Sequence, residues 1–563
     1  MATSLLEARI NSKMIMESIS SIGVKSVFGC QEESLISFYC DRNPNVDYIQ
    51  LRHEQAAVHA ADGFARASGK PGVVLLGTSL SLTNGITGIA TAYSDSVPLL
   101  IISGPLFPIH SSKNAFDDLN IIGMATPITK HIFTVENTDD LPLIIHQAYH
   151  LAANGRPGPV LIEISTNMAP KHQKYVSNDF NLAEPFLQSL KNESELCRAL
   201  EFIETARKPV FLIGGGTIIS GASEVLHKIV QQCQIPVVTT LMGIGAYSTV
   251  DRLFLGMLGM HGTYAANKAV HQCDLLISIG MRFSDRVTGR ISGFSPKSKI
   301  IHVDIDESEL NKILQVDLPI VSDAKAFLSW LHNHIDHQKV NYNTKNWVNE
   351  ATEWKRTVPR FDKSNSILSP QTVIQMIDRY SDDSALVVTD VGQHQIWTAH
   401  NYKFKNPRTL LTSGGLGTMG YGLPAAIGAA ISRPTEQVIC VSGDGSFQMN
   451  LQELITIVKY QLPIKIAILN NGYLGMVRQW QQLFFNGRYS SVKISSPDFV
   501  KLADSYGAVG FKAQTEEEAK QIIIEAFNLQ GPVLMEFNVV EEENVFPMVP
   551  PNHNNHQTLL SKE

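Results

Sequence analysis

"GDGSFQMNLQELITIVKYQLPIKIAILNN", Gly443 to Asn471, decides how the chain is read. The β-branched run "QVICVSG" ends at Gly443, and Asp444-Gly445-Ser446 follow at once. A helical pattern, "NLQELITIVKY", comes next, and a second apolar run ends at Asn470-Asn471. Short apolar runs alternating with helical periodicity mark α/β units with a parallel sheet. Asp444 and Asn471 stand 27 positions apart. One strand–helix–strand unit therefore places both at the carboxyl edge of adjacent strands, where open α/β sheets bind ligands. A carboxylate and an amide oxygen suit a hard divalent cation such as Mg²⁺, which would complete its shell with water and the oxygens of a diphosphate. Gly445 lets a phosphate come close to the backbone. A lone GDG would favour a glycine turn with a solvated aspartate; the asparagine pair at this spacing favours a ligand site.

The same alternation runs through the whole chain. The first third holds "VKSVFG", "GVVLLGT", "PLLIISG" and "PVLIEIS". The middle holds "PVFLIGGG", "PVVTTLM", "LLISIGM" and "KIIHVDID", and the last third "ALVVTDVG", "QVICVSGDG", "IKIAILNN" and "PVLMEFNVV". Two polar stretches without β-runs, around 166–185 and 335–366, read as linkers. The expectation is an α/β protein of three domains, 1–170, 185–335 and 365–545, each a parallel sheet flanked by helices. A chain of 563 residues is too long for one core, which agrees.

Composition narrows the class. The chain is 44% hydrophobic and 18% charged, with a net charge of −7 and no basic patch of the kind that binds nucleic acid. Its 6 cysteines form no CxxC pair, which speaks against a zinc site or a disulfide framework and for a reducing compartment. Val73 to Tyr93 is broken by Ser, Thr, Asn and Gly and makes a poor membrane span. The N-terminus lacks the apolar centre of a signal peptide. A cytoplasmic protein is expected, or an organelle protein freed of its transit peptide.

GDGS followed by NN resembles the thiamine-diphosphate motif. "VGQHQIW" and "GGLGTMGYGLPAAIGA" lie upstream, where that superfamily contacts its cofactor. The resemblance narrows to the catalytic large subunit of acetohydroxyacid (acetolactate) synthase. It is carried over nearly the whole chain by "LRHEQAAVHAADGFARASGKPGV", "GIATAYSDSVPL", "ITKH", "GRPGPVL", "MLGMHGTYAAN", "MRFSDRVTG", "GMVRQWQQLFFNGRYS" and "VFPMVPP".

The resemblance implies roles for particular residues. Glu54, in "RHEQ", would activate thiamine diphosphate through its aminopyrimidine ring; a carboxylate in a dry site suits that proton transfer. Met419 would bend the cofactor, and Gly417 would offer backbone to its pyrimidine. Gln393, His394, Gly445 and Ser446 would face the diphosphate, with Asp444, Asn471 and the carbonyl of Tyr473 on Mg²⁺. FAD would lie in the middle domain against Gly214, Gly215 and Gly216, whose turn is a weak signal by itself. Arg156, Leu241, Met242, Met260, His261 and Gly262 match FAD-contacting segments, as do Arg282, Asp285, Arg286, Asp304 and Asp323. Trp480, Met476 and Val477 would shape the acceptor pocket, and Phe116 would be a further substrate-side residue. The substrates implied are 2-keto acids. The assembly implied is a homodimer or homotetramer, since Glu54 and the Mg²⁺ site of one centre come from two subunits, and a small regulatory subunit is a further partner.

The first domain departs from the family pattern. Gly29-Cys30-Gln31-Glu32-Glu33 stands in place of GYPGG, and Thr78-Ser79-Leu80-Ser81 in place of SGPG. Asp117 stands where a glutamine is usual, and Ser165-Thr166 where a Pro-Lys pair is usual. Glu33 would then face the reacting carbon. A unit charge at about 4 Å is worth about 4 kcal/mol at an effective dielectric of about 20. Added negative charge should therefore repel 2-keto acids. Two other readings follow: a thiamine-diphosphate lyase, transferase or hydrolase for a less anionic carbonyl compound, and an inactive paralogue with an assembly or regulatory role.

Overall fold

The computed structural model describes residues 2–30, 44–77, 79–104, 119–169, 192–357 and 368–561. Glu33, Phe116 and Asp117 lie outside the described residues. Three six-stranded sheets follow one another along the chain, and every strand pairs in parallel. In spatial order the first runs Asp47–Leu51, Ser26–Cys30, Gly72–Leu76, Leu99–Ser103, Pro159–Ala169 and His131–Asn137. The second runs Leu318–Val321, Lys299–Asp304, Leu275–Ile279, Pro209–Ile213, Val237–Thr239 and Phe254–Met257. The third runs Leu410–Leu411, Leu386–Thr389, Val438–Gly443, Lys465–Asn470, Val533–Asn538 and Val509–Ala513.

The apolar runs of the sequence are the inner strands of these sheets, and both edge strands of each sheet lie outside them. Helices cover both faces of a parallel sheet, so inner strands read as unbroken apolar runs. Gly72–Leu76 and Leu99–Ser103 are buried at every position. The edge strand His131–Asn137 buries Val135 alone, and Val509–Ala513 buries Ala513 alone.

The stretch around 335–366 is less of a linker than its polarity suggests. His337–Glu353 is a helix whose Val340, Trp347, Val348 and Ala351 are buried on the central unit. The Trp347 indole donates to the Pro209 carbonyl at 3.0 Å. At the other stretch, Thr166–Ala169 extends the Pro159–Ala169 strand. The helix expected over 450–460 forms over 451–459, its first turn, Leu451–Glu453, wound as a 3-10 turn that runs into the α-helix Leu454–Lys459. Asn450, just before it, donates its amide to the Gly420 carbonyl at 2.7 Å. No helix among the described residues is long and apolar enough to cross a membrane. Cys197, Cys233, Cys273 and Cys440 are free thiols.

The terminal units share one hydrophobic core. Its centre is the crossing of helix Glu54–Ser68 with helix Gly422–Ser432. The second helix, "GLPAAIGAAIS", is built of small and apolar residues and is buried from Gly422 to Ala430. Gly63 faces the Ala425 backbone and Gly428 the Ala60 backbone, each so closely that a Cβ would collide with it. His59 lies in the same contact, its ring edge-on to Tyr421 at 5.3 Å.

Two outcomes follow for stability. Gly428→Ala should cost about 1–3 kcal/mol through overpacking against Ala60, read as a lower Tm. Burial, with Arg66 beside it, lowers the His59 pKa from 6.5 to about 3. Between those values the unfolded chain binds a proton that the native chain does not. Stability is then lost as pH falls below about 6.5, by up to about 1.4 kcal/mol per pH unit from this group. Denaturant midpoints at pH 7.5 and 5.5 should differ less in His59→Gln than in the parent chain.

Candidate functional site

The strand Val438–Gly443 lies beside Lys465–Asn470, with Gly443 opposite Leu469. Asp444 and Asn471 therefore leave neighbouring strands side by side, and both line a small cavity of about 70 Å³. Gln393 and His394, Gly445 and Ser446, and Tyr473 line it too. Asp444 is buried, and burial raises its pKa to about 6 although Ser496 donates to it at 3.1 Å. Burial pushes His394 down to about 3, so its ring is neutral, and its Nε2 is buried with no partner among the described residues. Asn470 turns away and donates to Glu536 at 2.7 Å, which leaves Asn471 for the cavity. A carboxylate, an amide and a neutral imidazole beside glycine backbone form a donor set that fits a cation with its diphosphate.

A second, larger cavity of about 920 Å³ adjoins the first. Met419 and Met476 line both, so they stand where the two meet. Gly417 lines the large cavity at φ +71°, a left-handed conformation that favours glycine. Trp480 lines it one helical turn beyond Met476. Val477 lines the small cavity and is exposed.

The far part of the large cavity belongs to the central unit. Gly215 and Gly216 open onto it, with Leu241, Met242, Met260 and His261. Arg282, Asp285 and Arg286 bring exposed charged groups to its wall. Arg156 donates to Asp306 at 3.0 Å and Glu309 at 2.8 Å. Asp304 is held by the Asp306 amide at 2.9 Å, and Asp323 caps the helix Ala324–His334. His261 Nδ1 is buried without a partner among the described residues. A glycine turn, three arginines and five carboxylates around a cavity of this size fit a dinucleotide.

Three expected residues stand apart from both cavities. Gly214 packs against Gly280 and Met281, and Gly262 closes a turn on Gly259. Glu54 lines neither cavity. Its carboxylate accepts from Asn84 at 2.9 Å and Ser81 at 3.3 Å, and the Arg52 amide beside it donates to Glu453 at 3.0 Å. Ser94, Asp95, Ser96, Gly414 and Gly415 also line the large cavity, and sequence reasoning did not single them out. The "SDS" before a β-branched run and the paired glycines were the available signals.

Three regions match parts of one family description, "Thiamine pyrophosphate enzyme": the N-terminal TPP binding domain at 11–124, the central domain at 196–331 and the C-terminal TPP binding domain at 390–537. The chain is 40% identical to the acetolactate synthase large subunit of Haemophilus influenzae, over 98% of each chain. It is 39% identical to acetolactate synthase isozyme 3 large subunit of Escherichia coli, over 96% of this chain and 97% of that one. It is 39% identical to the Lactococcus lactis large subunit, over 96% and 94%. The chain belongs to the thiamine pyrophosphate enzymes, in the acetolactate synthase large-subunit family. It is thus a thiamine-diphosphate-dependent enzyme. Every residue of the small cavity falls in the C-terminal TPP-binding region, and Glu54, Ser81 and Asn84 fall in the N-terminal one.

Proposed function

We propose that this chain is the catalytic large subunit of an acetohydroxyacid synthase. It decarboxylates pyruvate and passes the two-carbon unit to a second 2-keto acid, giving acetolactate or 2-aceto-2-hydroxybutyrate for branched-chain amino acid biosynthesis. The observation that carries this reading is the meeting of the two cavities at Met419 and Met476, with Trp480 beside them.

Bound thiamine diphosphate supplies the carbanion chemistry that cleaves a 2-keto acid and stores its two-carbon fragment. The protein's part is to bind, orient and exclude water. Asp444, Asn471 and the Tyr473 carbonyl hold Mg²⁺, while Gln393, His394, Gly445 and Ser446 face the diphosphate. Met419 is the apolar support at the mouth of the small cavity, and Gly417 presents backbone beside it. FAD would be held in the large cavity by Gly215, Gly216, Arg156, Arg282 and Arg286, with Asp304 and Asp323 on the same wall. Trp480, Met476 and Val477 form the acceptor side. Glu54, absent from the cavity walls of its own chain, completes the site of a second copy, so the active unit is at least a homodimer. The name "large subunit" carried by the relatives supports a smaller partner chain. The free thiols of Cys197, Cys233, Cys273 and Cys440 support the cytoplasm as its compartment.

Purified protein given pyruvate, thiamine diphosphate, Mg²⁺ and FAD should form acetolactate. Turnover of aldehydes or diketones without acetolactate would instead favour the less anionic substrate raised by Glu33, Asp117 and Thr166. Glu54→Gln should lower kcat by about 10²- to 10⁴-fold while flavin absorbance of the purified protein is kept. Trp480→Leu should shift products toward acetolactate in a pyruvate/2-ketobutyrate competition, by about tenfold or more.

A further inference from the structure

The loop from Ser413 to Gly420 carries Gly417 and Met419, and four of its eight residues are glycines. Such a loop has few side chains to pack and takes its shape from hydrogen bonds made to it. Many of them come from the N-terminal unit. Asp95, at the end of helix Ser79–Ser94, accepts from the Gly415 amide at 2.6 Å and the Gly414 amide at 3.1 Å. The side chain of Asp95 is 0% exposed. Arg66 donates to the same carboxylate at 2.8 Å and to Asp62, and Asp62 accepts from Tyr421, just past the loop, at 2.7 Å. Thr91 and Thr418 share a hydrogen bond of 2.6 Å in the middle of the loop. The C-terminal unit contributes Asp390, which accepts from the Gly420 amide at 2.9 Å.

The residues around Asp95 meet the central unit as well. Arg282 donates to the Ser94 carbonyl at 2.6 Å, and Arg156 donates to Ser96 at 2.9 Å. Ser96 holds φ 58°, the left-handed conformation in a residue that rarely adopts it. Ser94, Asp95 and Ser96 therefore join all three units. All three line the large cavity, beside Gly414 and Gly415. A ligand filling that cavity rests on the clamp that shapes the Met419 loop.

We propose that Asp95 is a positioning residue that couples the two cofactor cavities, so that a dinucleotide in the large one and thiamine diphosphate in the small one each tighten the binding of the other. The proposal rests on the reading that the large cavity holds FAD. Coupling between two binding sites is reciprocal and commonly amounts to about 5- to 150-fold. Here the ordered element is the glycine loop, and either ligand lowers the cost of ordering it for the other.

The test is a titration of the flavin-stripped full-length protein with thiamine diphosphate and Mg²⁺, with and without FAD, followed by intrinsic fluorescence. FAD is titrated in the same way, with and without thiamine diphosphate, and read by flavin absorbance. The parent chain should show the same tightening, fivefold or more, in both directions. Asp95→Asn keeps one acceptor but removes the charge and the paired grip on two amides; each cofactor should still bind, and the tightening should fall toward onefold. Thr91→Val, which cuts the separate tie to Thr418, should reduce it too, so the clamp is still tested where Asp95→Asn folds poorly. Independent binding of both cofactors by the parent chain overturns the coupling alone. Undiminished coupling in a folded Asp95→Asn or Thr91→Val chain overturns the clamp. No FAD binding by the parent chain overturns the reading of the large cavity and the coupling with it.

Discussion

The backbone contact between helices Glu54–Ser68 and Gly422–Ser432 sets the distance on which the rest of the molecule depends. Gly63 and Gly428 let each helix approach the main chain of the other, which larger residues would prevent. The close approach brings polar groups at both helix ends into reach. Arg433 donates to Ala67 at 3.0 Å and Arg408 to Arg66 at 3.1 Å, both at carbonyls that the first helix leaves open as it ends. At its start, the Arg52 amide reaches Glu453. One apolar contact thus places "RHEQ", the Met419 loop and the Asp444 turn in a common frame.

Within that frame the charges are arranged to hold loops. Asp62, Arg66 and Asp95 are almost wholly buried, and two carboxylates share one guanidinium. A buried ion cluster of this kind contributes little net stability compared with apolar packing. Its value here is geometric, because Asp62 and Asp95 spend their remaining oxygen capacity on Tyr421, Gly414 and Gly415. Arg156 works in the same manner across Ser96, Asp306 and Glu309. The central unit, with its own cores, is joined to the other two through such polar contacts as well as packing.

What the sequence discloses follows from how each feature is buried. Inner strands such as Leu99–Ser103 are dry on both faces and announce themselves as apolar runs. The edge strand Asp47–Leu51 alternates and begins exposed, while Leu410–Leu411 is only two residues long, so neither forms such a run. Phe254–Met257 is buried but carries Gly256 and an irregular register, which hides its pattern. Asp444 and Asn471 were legible because one strand–helix–strand unit fixes their relation. Asp95 was not, because its partners Gly414 and Gly415 lie 319 and 320 positions away and nothing local points to them. The polar stretch 337–353 misled for the opposite reason: a helix needs only one apolar stripe, and Val340, Trp347 and Ala351 supply it amid polar neighbours.

The departures in the first domain can be weighed more closely at Ser81. The family pattern puts a glycine there, and its loss is one of the departures behind the inactive-paralogue reading. In the fold, Ser79–Ser94 is a helix, Ser81 is buried on it, and the Ser81 hydroxyl donates to Glu54 at 3.3 Å. Asn84, one turn later, takes the other Glu54 oxygen. A glycine could not make the first of these bonds. Nor does Glu54 use the solvent-exposed Arg52 as an ion partner; its carboxylate is oriented by two neutral donors on a neighbouring helix. A chain retained only as scaffold has no need to aim a carboxylate at a position where its own cavities cannot use it. In the proposed homodimer, that carboxylate would serve the small cavity of a second copy. The altered residues around Glu54 thus redraw its surroundings while keeping it aimed, which argues for an active enzyme and against an inactive paralogue.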